Sequence, residues 1–321
     1  MSSILAVTAP FFALVLCGWL AAQRRVLPEA AIPGLNAFVL YFALPCMLFR
    51  FGAGTPVLQT LNPTILAVYL LCAALIVGLT IAVTIGAAVP LKDAAFGALV
   101  AAFPNTGFMG VPLLVALLGP AAAGPAICAI TADLVVTTTA CLALAEAQGS
   151  GGQGLWTSAR RILLSVAKNP MPWSIALGAT FSAMGWQLVG PMDAVVKMLA
   201  DAASPVALFT IGAVLWRAGR HAHTRTPPRR YLPVAAIKLL LHPLLLLGLG
   251  LGARALGAPL SDFALMVIVL VAALPSASNV AILAERYGAD TGRVARIIMS
   301  STVAAFLSFT AVAWSFGVRP A

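Results

Sequence analysis

Charge is what this chain has least of. Only 9% of its 321 residues are Asp, Glu, Lys or Arg, against roughly a quarter in a soluble domain. With 61% hydrophobic residues and a mean hydropathy of +1.02, the apolar surplus has to face lipid, which excludes a water-soluble fold. Acids are scarcer than bases, 9 against 19, for a net charge of +10. That excess does not point to nucleic acid, because the basic residues lie in short connections between apolar runs, without interleaved aromatics. Anionic headgroups and the orientation rule account for them. Cysteines number 5 and histidines 3. Cys17, Cys46, Cys72, Cys128 and Cys141 all fall inside apolar runs, with neither C-x-x-C spacing nor nearby histidines. They read as small buried hydrophobes, so neither a disulfide framework, a metal site nor a cofactor is expected. A cleavable leader pattern is missing too: the first apolar run, Ile4–Ala22, ends in Gln23-Arg24-Arg25 and reads as a span that stays.

What is present is a series of runs near the ~20 residues that cross a bilayer. They are Ile4–Ala22, Ala30–Phe49, Ile65–Val89, Ala94–Leu118, Ala121–Ala145, Pro170–Leu188, Val195–Leu215, Leu232–Ala253, Phe263–Ala284 and Ile297–Phe316, ten in all. Fourteen of the lysines and arginines fall in connections after odd-numbered spans. Four (Arg50, Lys197, Arg254 and Arg319) follow even ones or end the chain. This bias places the odd connections in the cytoplasm and both termini outside.

The fourth span is interrupted by Phe103-Pro104-Asn105-Thr106-Gly107-Phe108-Met109-Gly110-Val111-Pro112, and the ninth by Leu274-Pro275-Ser276-Ala277-Ser278-Asn279. Proline removes a donor and clashes with the preceding turn, and glycine loosens the backbone. In hydrocarbon such a break is tolerated where protein or a watery cavity satisfies the freed groups. The halves also echo each other: Pro45-Cys46-Met47-Leu48-Phe49 in span two, Pro205-Val206-Ala207-Leu208-Phe209 in span seven. Five spans per half invert the second half, so the expected fold is an all-α polytopic membrane protein built as a 5+5 inverted repeat. Residues 1–146 form the first repeat and 169–321 the second. Between them, 147–168 hold a glycine-rich linker and an interfacial helix over Leu155–Leu164. A second long connection, Trp216–Arg230, contains His221-x-His223 and reads as a solvated basic loop. Gly248-x-Gly250-x-Gly252 has no strand before it and reads as small-residue helix packing.

If spans four and nine break near the midplane, their second halves begin there, with Pro104 and Pro275 near the first-turn position. Two helix N-termini would then converge on one point and suit an anion, a carboxylate above all. Asn105 and Asn279 offer amides at matching depth, and Thr106, Gly107, Ser276 and Ser278 add hydroxyls and open backbone. Asp133 is the acid deepest inside a span, a position that is functional by default. It is either a proton or cation site or a structural hydrogen-bonding group. Lys238, about six residues into span eight, can snorkel to the inner interface. His242 reads as a packed neutral residue or part of a proton path.

These motifs resemble the auxin efflux carrier family, including bacterial members known as malate or malonate permeases. The fourth-span motif is followed by Leu113, and the ninth-span motif continues into Leu283-Ala284-Glu285-Arg286-Tyr287-Gly288. Asn169-Pro170, Pro205-Val206-Ala207-Leu208-Phe209 and Lys238-Leu239-Leu240-Leu241-His242-Pro243 fit the bacterial pattern as well. The resemblance implies crossed, broken helices four and nine in a fold similar to bile-acid symporters and sodium/proton antiporters. It also implies a scaffold of spans 1, 2, 6 and 7, homodimeric, and a moving transport domain of spans 3–5 and 8–10. Asn105 and Asn279 match the family's substrate-contacting asparagines. The long central cytoplasmic loop of many plant carriers is absent.

The expected function is therefore secondary transport of a small organic anion by elevator-type alternating access across a bacterial cytoplasmic membrane. An importer would need a coupling ion, H+ or Na+, with Asp133, Lys238 and His242 as candidates. A cation antiporter of the same fold is the alternative. An intramembrane serine hydrolase using Ser276 or Ser278 with His242, and a ligand sensor without flux, are remoter ones.

Overall fold

The computed structural model describes residues 2–54, 62–147, 169–220 and 226–318. The glycine-rich linker, the interfacial helix and His221-x-His223 lie outside the described residues. Lipid offers no partner for backbone N–H and C=O groups, and a helix pairs them locally; the apolar runs fold accordingly. In chain order the helices are α1 (Ser2–Gln23), α2 (Glu29–Ala53), α3 (Pro63–Thr84), α4 (Leu91–Ala102), α5 (Thr106–Leu118) and α6 (Pro120–Ala147). They continue with α7 (Pro170–Met184), α8 (Gly190–Arg220), α9 (Leu232–Ala255), α10 (Asp262–Ala272), α11 (Val280–Arg286) and α12 (Thr291–Ser315). Among the described residues there is no β-strand. Seven helices (α1, α2, α3, α6, α8, α9 and α12) are long and apolar enough to cross a bilayer, so the protein is a multi-pass membrane protein.

The interrupted runs emerge as helix pairs, α4 with α5 and α10 with α11, separated by non-helical residues. The expected span Pro170–Leu188 is cut to the 15 residues of α7. The cause is Gly185, left-handed at φ +66°. Its amide bonds the Ser182 carbonyl while the Trp186 amide reaches back to Phe181, a glycine-led stop that satisfies the last carbonyls.

Four helical turns are widened to π geometry: Val39–Ala43, Thr106–Gly110, Asp133–Thr137 and Ile237–Leu241. Three of them end two residues before a proline, Pro45, Pro112 or Pro243. Proline has no N–H and its ring collides with the carbonyl four residues back, and a wider turn relieves that collision. No proline follows the turn at Asp133, so its cause lies elsewhere. Single π turns without a proline mark functional positions often enough to single this one out.

Helices α1 and α8 pack backbone against backbone. A Cβ on Gly18 would stand 1.8 Å from the Phe209 carbonyl oxygen, and one on Gly212 1.9 Å from that of Val15. Helices α2 and α7 repeat the arrangement, with Gly178 facing the Phe49 carbonyl at 2.4 Å from its would-be Cβ. Small residues are what allow such approach in lipid, where helix association rests on close packing. A second tie is made by a charge: Arg293 is 1% exposed. It donates from Nε to the Arg230 carbonyl (2.9 Å) and from Nη1 to that of Asp93 (2.7 Å). Asp93 in turn accepts the Asp290 amide at 2.7 Å. Three chain entries, to α4, α9 and α12, are thereby tied into one body.

Candidate functional site

The two breaks meet. The Asn105 amide donates to the Pro275 carbonyl (2.8 Å) and the Ala277 amide to that of Phe103 (3.0 Å), pairing Pro104 with Ser276 as an isolated antiparallel bridge. Each interruption thus satisfies the backbone groups that the other sets free, which is what a non-helical segment at membrane depth requires.

The prolines do not take the first-turn positions that the sequence suggests. They lie within the extended crossing, and the asparagines, one residue after Pro104 and four after Pro275, are the N-cap residues of α5 and α11. Neither side chain caps its own helix, although asparagine is among the best capping residues. Both Oδ1 atoms are buried without a hydrogen-bond partner. An amide withheld from its local bond and left unsatisfied is available to a ligand.

Between the asparagines lies a chamber of about 10 Å³ lined by Pro104, Asn105, Gly107 and Asn279, with Ile130 and Met171 closing it. Of the eight predicted site residues, these four line it. Thr106, Pro275, Ser276 and Ser278 do not. Ser276 faces away, donating from Oγ to the Val100 carbonyl (2.7 Å), while its own amide is held by Ser301 Oγ (3.2 Å). A larger cavity of about 210 Å³ adjoins the chamber, sharing Phe103, Leu134, Met171 and Asn279 with it.

The three ion-coupling candidates gather behind the chamber. Asp133, Lys238 and His242 are all fully buried, at 0% exposure. Lys238 does not snorkel to the interface. Its Nζ donates to the Ala272 carbonyl (2.7 Å) and lies 3.1 Å from His242 Nδ1. Ala272 ends α10, so its carbonyl is one that the helix cannot pair itself. The widened turn at Ile237–Leu241 presents Lys238 and His242 on one face, and the His242 ring also stands beside the Ala101 carbonyl near the end of α4. The lysine of this pair therefore serves the interrupted end of α10, while His242 Nε2 faces α4 without a hydrogen-bond partner.

Asp133 accepts a 2.7 Å hydrogen bond on Oδ2 from the Tyr69 hydroxyl, also 0% exposed, and its Oδ1 is unpartnered. It sits within electrostatic reach of Lys238. The Asp133 carbonyl accepts from Thr138 Oγ1 (2.7 Å), which holds open the turn that no proline explains. Tyr69 escapes sequence reasoning, because a single tyrosine in an otherwise uncharged span carries no motif. Leu134, next to Asp133, lines the chamber, so α6 presents an apolar side chain there while its acid bonds Tyr69.

No Ser–His pair forms among the described residues. Ser276 Oγ is committed to Val100 and His242 Nδ1 to Lys238, which removes the basis for a hydrolase.

Comparison with known proteins agrees with a transporter. A Rhizobium meliloti (strain 1021) protein whose name puts it forward as a malonate transporter is 26% identical over 316 residues, covering 97% of this chain and 95% of its own. YfdV of Escherichia coli (strain K12), described as an uncharacterized transporter, is 27% identical over 318 residues, 97% of this chain and 96% of its own. An uncharacterized transporter of Methanothermobacter thermautotrophicus is 27% identical over 311 residues, 92% of each chain. The family described as "Membrane transport protein" matches residues 3–313. With that match over nearly its whole length, the chain belongs to this family of transporters, the auxin efflux carriers that its two broken-span motifs resemble.

Proposed function

We propose that the protein carries a small organic anion, a carboxylate, across the membrane, binding it between the two asparagines at the crossing of the broken helices. The observation that carries this reading is the pair of N-cap asparagines, uncapping, facing one chamber, and each with a buried, unpartnered Oδ1. Each amide offers donors on Nδ2 as well as the acceptor on Oδ1. A full charge at the bilayer centre costs at least ~2.5–3.5 kcal/mol on insertion scales. A charge-assisted hydrogen bond returns about 1.5–3 kcal/mol, so two amides offset the cost without making a trap.

The architecture behind this reading is a ten-span 5+5 inverted repeat. α1, α2, α7 and α8 form a scaffold, and α3–α6 with α9–α12 form the body that slides as an elevator. The glycine-mediated packing of α1 on α8 and α2 on α7 supports the first unit, and the Arg293 tie supports the second. The cytoplasmic membrane of a bacterium, termini outside and a homodimeric scaffold complete the proposal. With the interior negative by ~100 mV, each negative charge gains about 2.3 kcal/mol on export, so an exporter runs uncoupled and an importer needs H+ or Na+.

A cation-coupled or cation-exchanging carrier is the second reading, and one observation favours it. Asn105 Oδ1, Asn279 Oδ1 and Asp133 Oδ1 are all buried acceptors without a donor. Flux of labelled malonate in proteoliposomes separates the readings. Asn105→Ala and Asn279→Ala should each abolish it; undiminished flux in both variants would remove the site assignment. Sodium-driven proton movement lost in Asp133→Asn, with no carboxylate flux, would instead establish the cation reading.

A further inference from the structure

The larger cavity is bounded by α2 and α7 on one side and by α6 and α11 on the other, and its lining holds a single formally charged side chain, Arg286. That arginine is exposed and pairs with no carboxylate among the described residues. It stands on the same face of α11 as Asn279: positions 279, 282 or 283, and 286 follow the helical repeat, and all line the cavity. Seven residues of helix separate the two by roughly 10 Å. Side chains on a helix lean toward its N-terminus, so Arg286 leans toward Asn279 and the crossing. Asn169 at the start of α7 and Leu142 near the end of α6 also line the cavity, at helix ends that the charge bias of the sequence assigns to the side of the arginine-rich connections. Asn169 accepts the Met171 amide on its Oδ1 (3.0 Å).

We infer that Arg286 is the entrance residue of the transport path on this side, collecting the carboxylate and passing it along α11 to Asn279. The inference rests on the carboxylate reading above and adds a step before the binding site. A cation at the mouth of a cleft with apolar walls focuses its field outward and raises the local concentration of anions. At the inner end, Asn279 belongs to both cavity and chamber, and Met171 narrows the passage between them. The competing role, a cation favourable to the C-terminal end of α11, would appear in stability and not in substrate capture.

The test is a charge series in proteoliposomes, Arg286→Lys, →Gln and →Glu, with initial rates of labelled malonate uptake at low and high salt. Arg286→Gln should raise KM roughly tenfold, the size of one charge-assisted hydrogen bond, with kcat little changed. Arg286→Glu should be worse, and Arg286→Lys should recover most of the loss. Raising the ionic strength toward ~1 M, where screening acts over about 3 Å, should bring wild type and Arg286→Gln together. A KM unchanged in Arg286→Gln, a lysine variant no better than glutamine, or a loss that tracks Tm across the series would each overturn the entrance role. Wild-type vesicles that move neither malonate nor acetate would remove the carboxylate reading itself, and this inference with it.

Discussion

Replacing Lys238 by methionine tests how the crossing is held together. Methionine keeps the length of the side chain and removes its donors. In the folded protein, Lys238 Nζ supplies the hydrogen bond that the Ala272 carbonyl, at the end of α10, has no other way of making. It also contacts His242 and lies in the field of Asp133. Losing a hydrogen bond to a charged or polarised donor costs about 1.5–3 kcal/mol, and a carbonyl left buried and unpaired lies at the upper end of that range. Asp133 loses the cation in whose field it lies as well; the two form no direct ion pair, so this loss stays below the about 3–5 kcal/mol of a broken buried pair. The two losses overlap, so roughly 3–4 kcal/mol is expected in total. At ~2 °C per kcal/mol, the smaller end of the range for large domains, that is about 6–8 °C in Tm. Intrinsic-fluorescence melting of the detergent-purified protein reads it directly. Asp133→Asn in the same background should restore part of the loss, because no unpaired charge then remains, with a coupling of about 0.5–3 kcal/mol. A Tm for Lys238→Met within 1 °C of wild type would refute the cap, and strictly additive single and double variants would refute the link to Asp133.

Three further outcomes follow from the same geometry. Asn105→Ala should leave the melting temperature unchanged or slightly raised while abolishing flux, since the residue removed is a buried acceptor with no partner to lose; a fall of several degrees would mean that Asn105 is structural. Gly212→Leu should eliminate monodisperse protein in size-exclusion chromatography, because even a Cβ there meets the Val15 carbonyl at 1.9 Å and over-packing by one group already costs ~1–3 kcal/mol; normal elution would contradict the α1–α8 packing. Tyr69→Phe should cost about 1–3 kcal/mol by leaving both Asp133 oxygens unpaired, measured by the same melting assay; an unchanged Tm would show that Asp133 does not rely on Tyr69.

The breaks at Pro104 and Pro275 are legible in the chain, because proline in an apolar run has few outcomes and each is followed by an asparagine, one residue on in the first and four in the second. That the prolines form the extended crossing and the asparagines the N-caps is not legible. It depends on the Asn105–Pro275 and Ala277–Phe103 hydrogen bonds, which join residues about 170 positions apart. Lys238 misleads a linear reading for a related reason. Distance along a span measures depth in the bilayer, not distance from the bundle axis, and the lysine's partner at Ala272 is 34 residues away. Tyr69 has no signal at all. The glycines do, but only as small residues: in the Gly248-x-Gly250-x-Gly252 run just the middle one makes a close approach, to Leu265. Arg286 is visible as part of a motif, and its standing in a cavity wall needed α2 and α7 to be brought opposite.

The bridge between Pro104 and Ser276 bears on how such a carrier can diversify. Its hydrogen bonds run through main-chain atoms, so the floor of the proposed site does not depend on which side chains stand above it. Mutation can then rework the walls, Ile130, Met171 or Tyr41, one residue at a time, changing cargo without dismantling the crossing. A site founded on side-chain pairs would need two matched substitutions for each such step. The backbone crossing lets one fold be handed from ligand to ligand through functional intermediates.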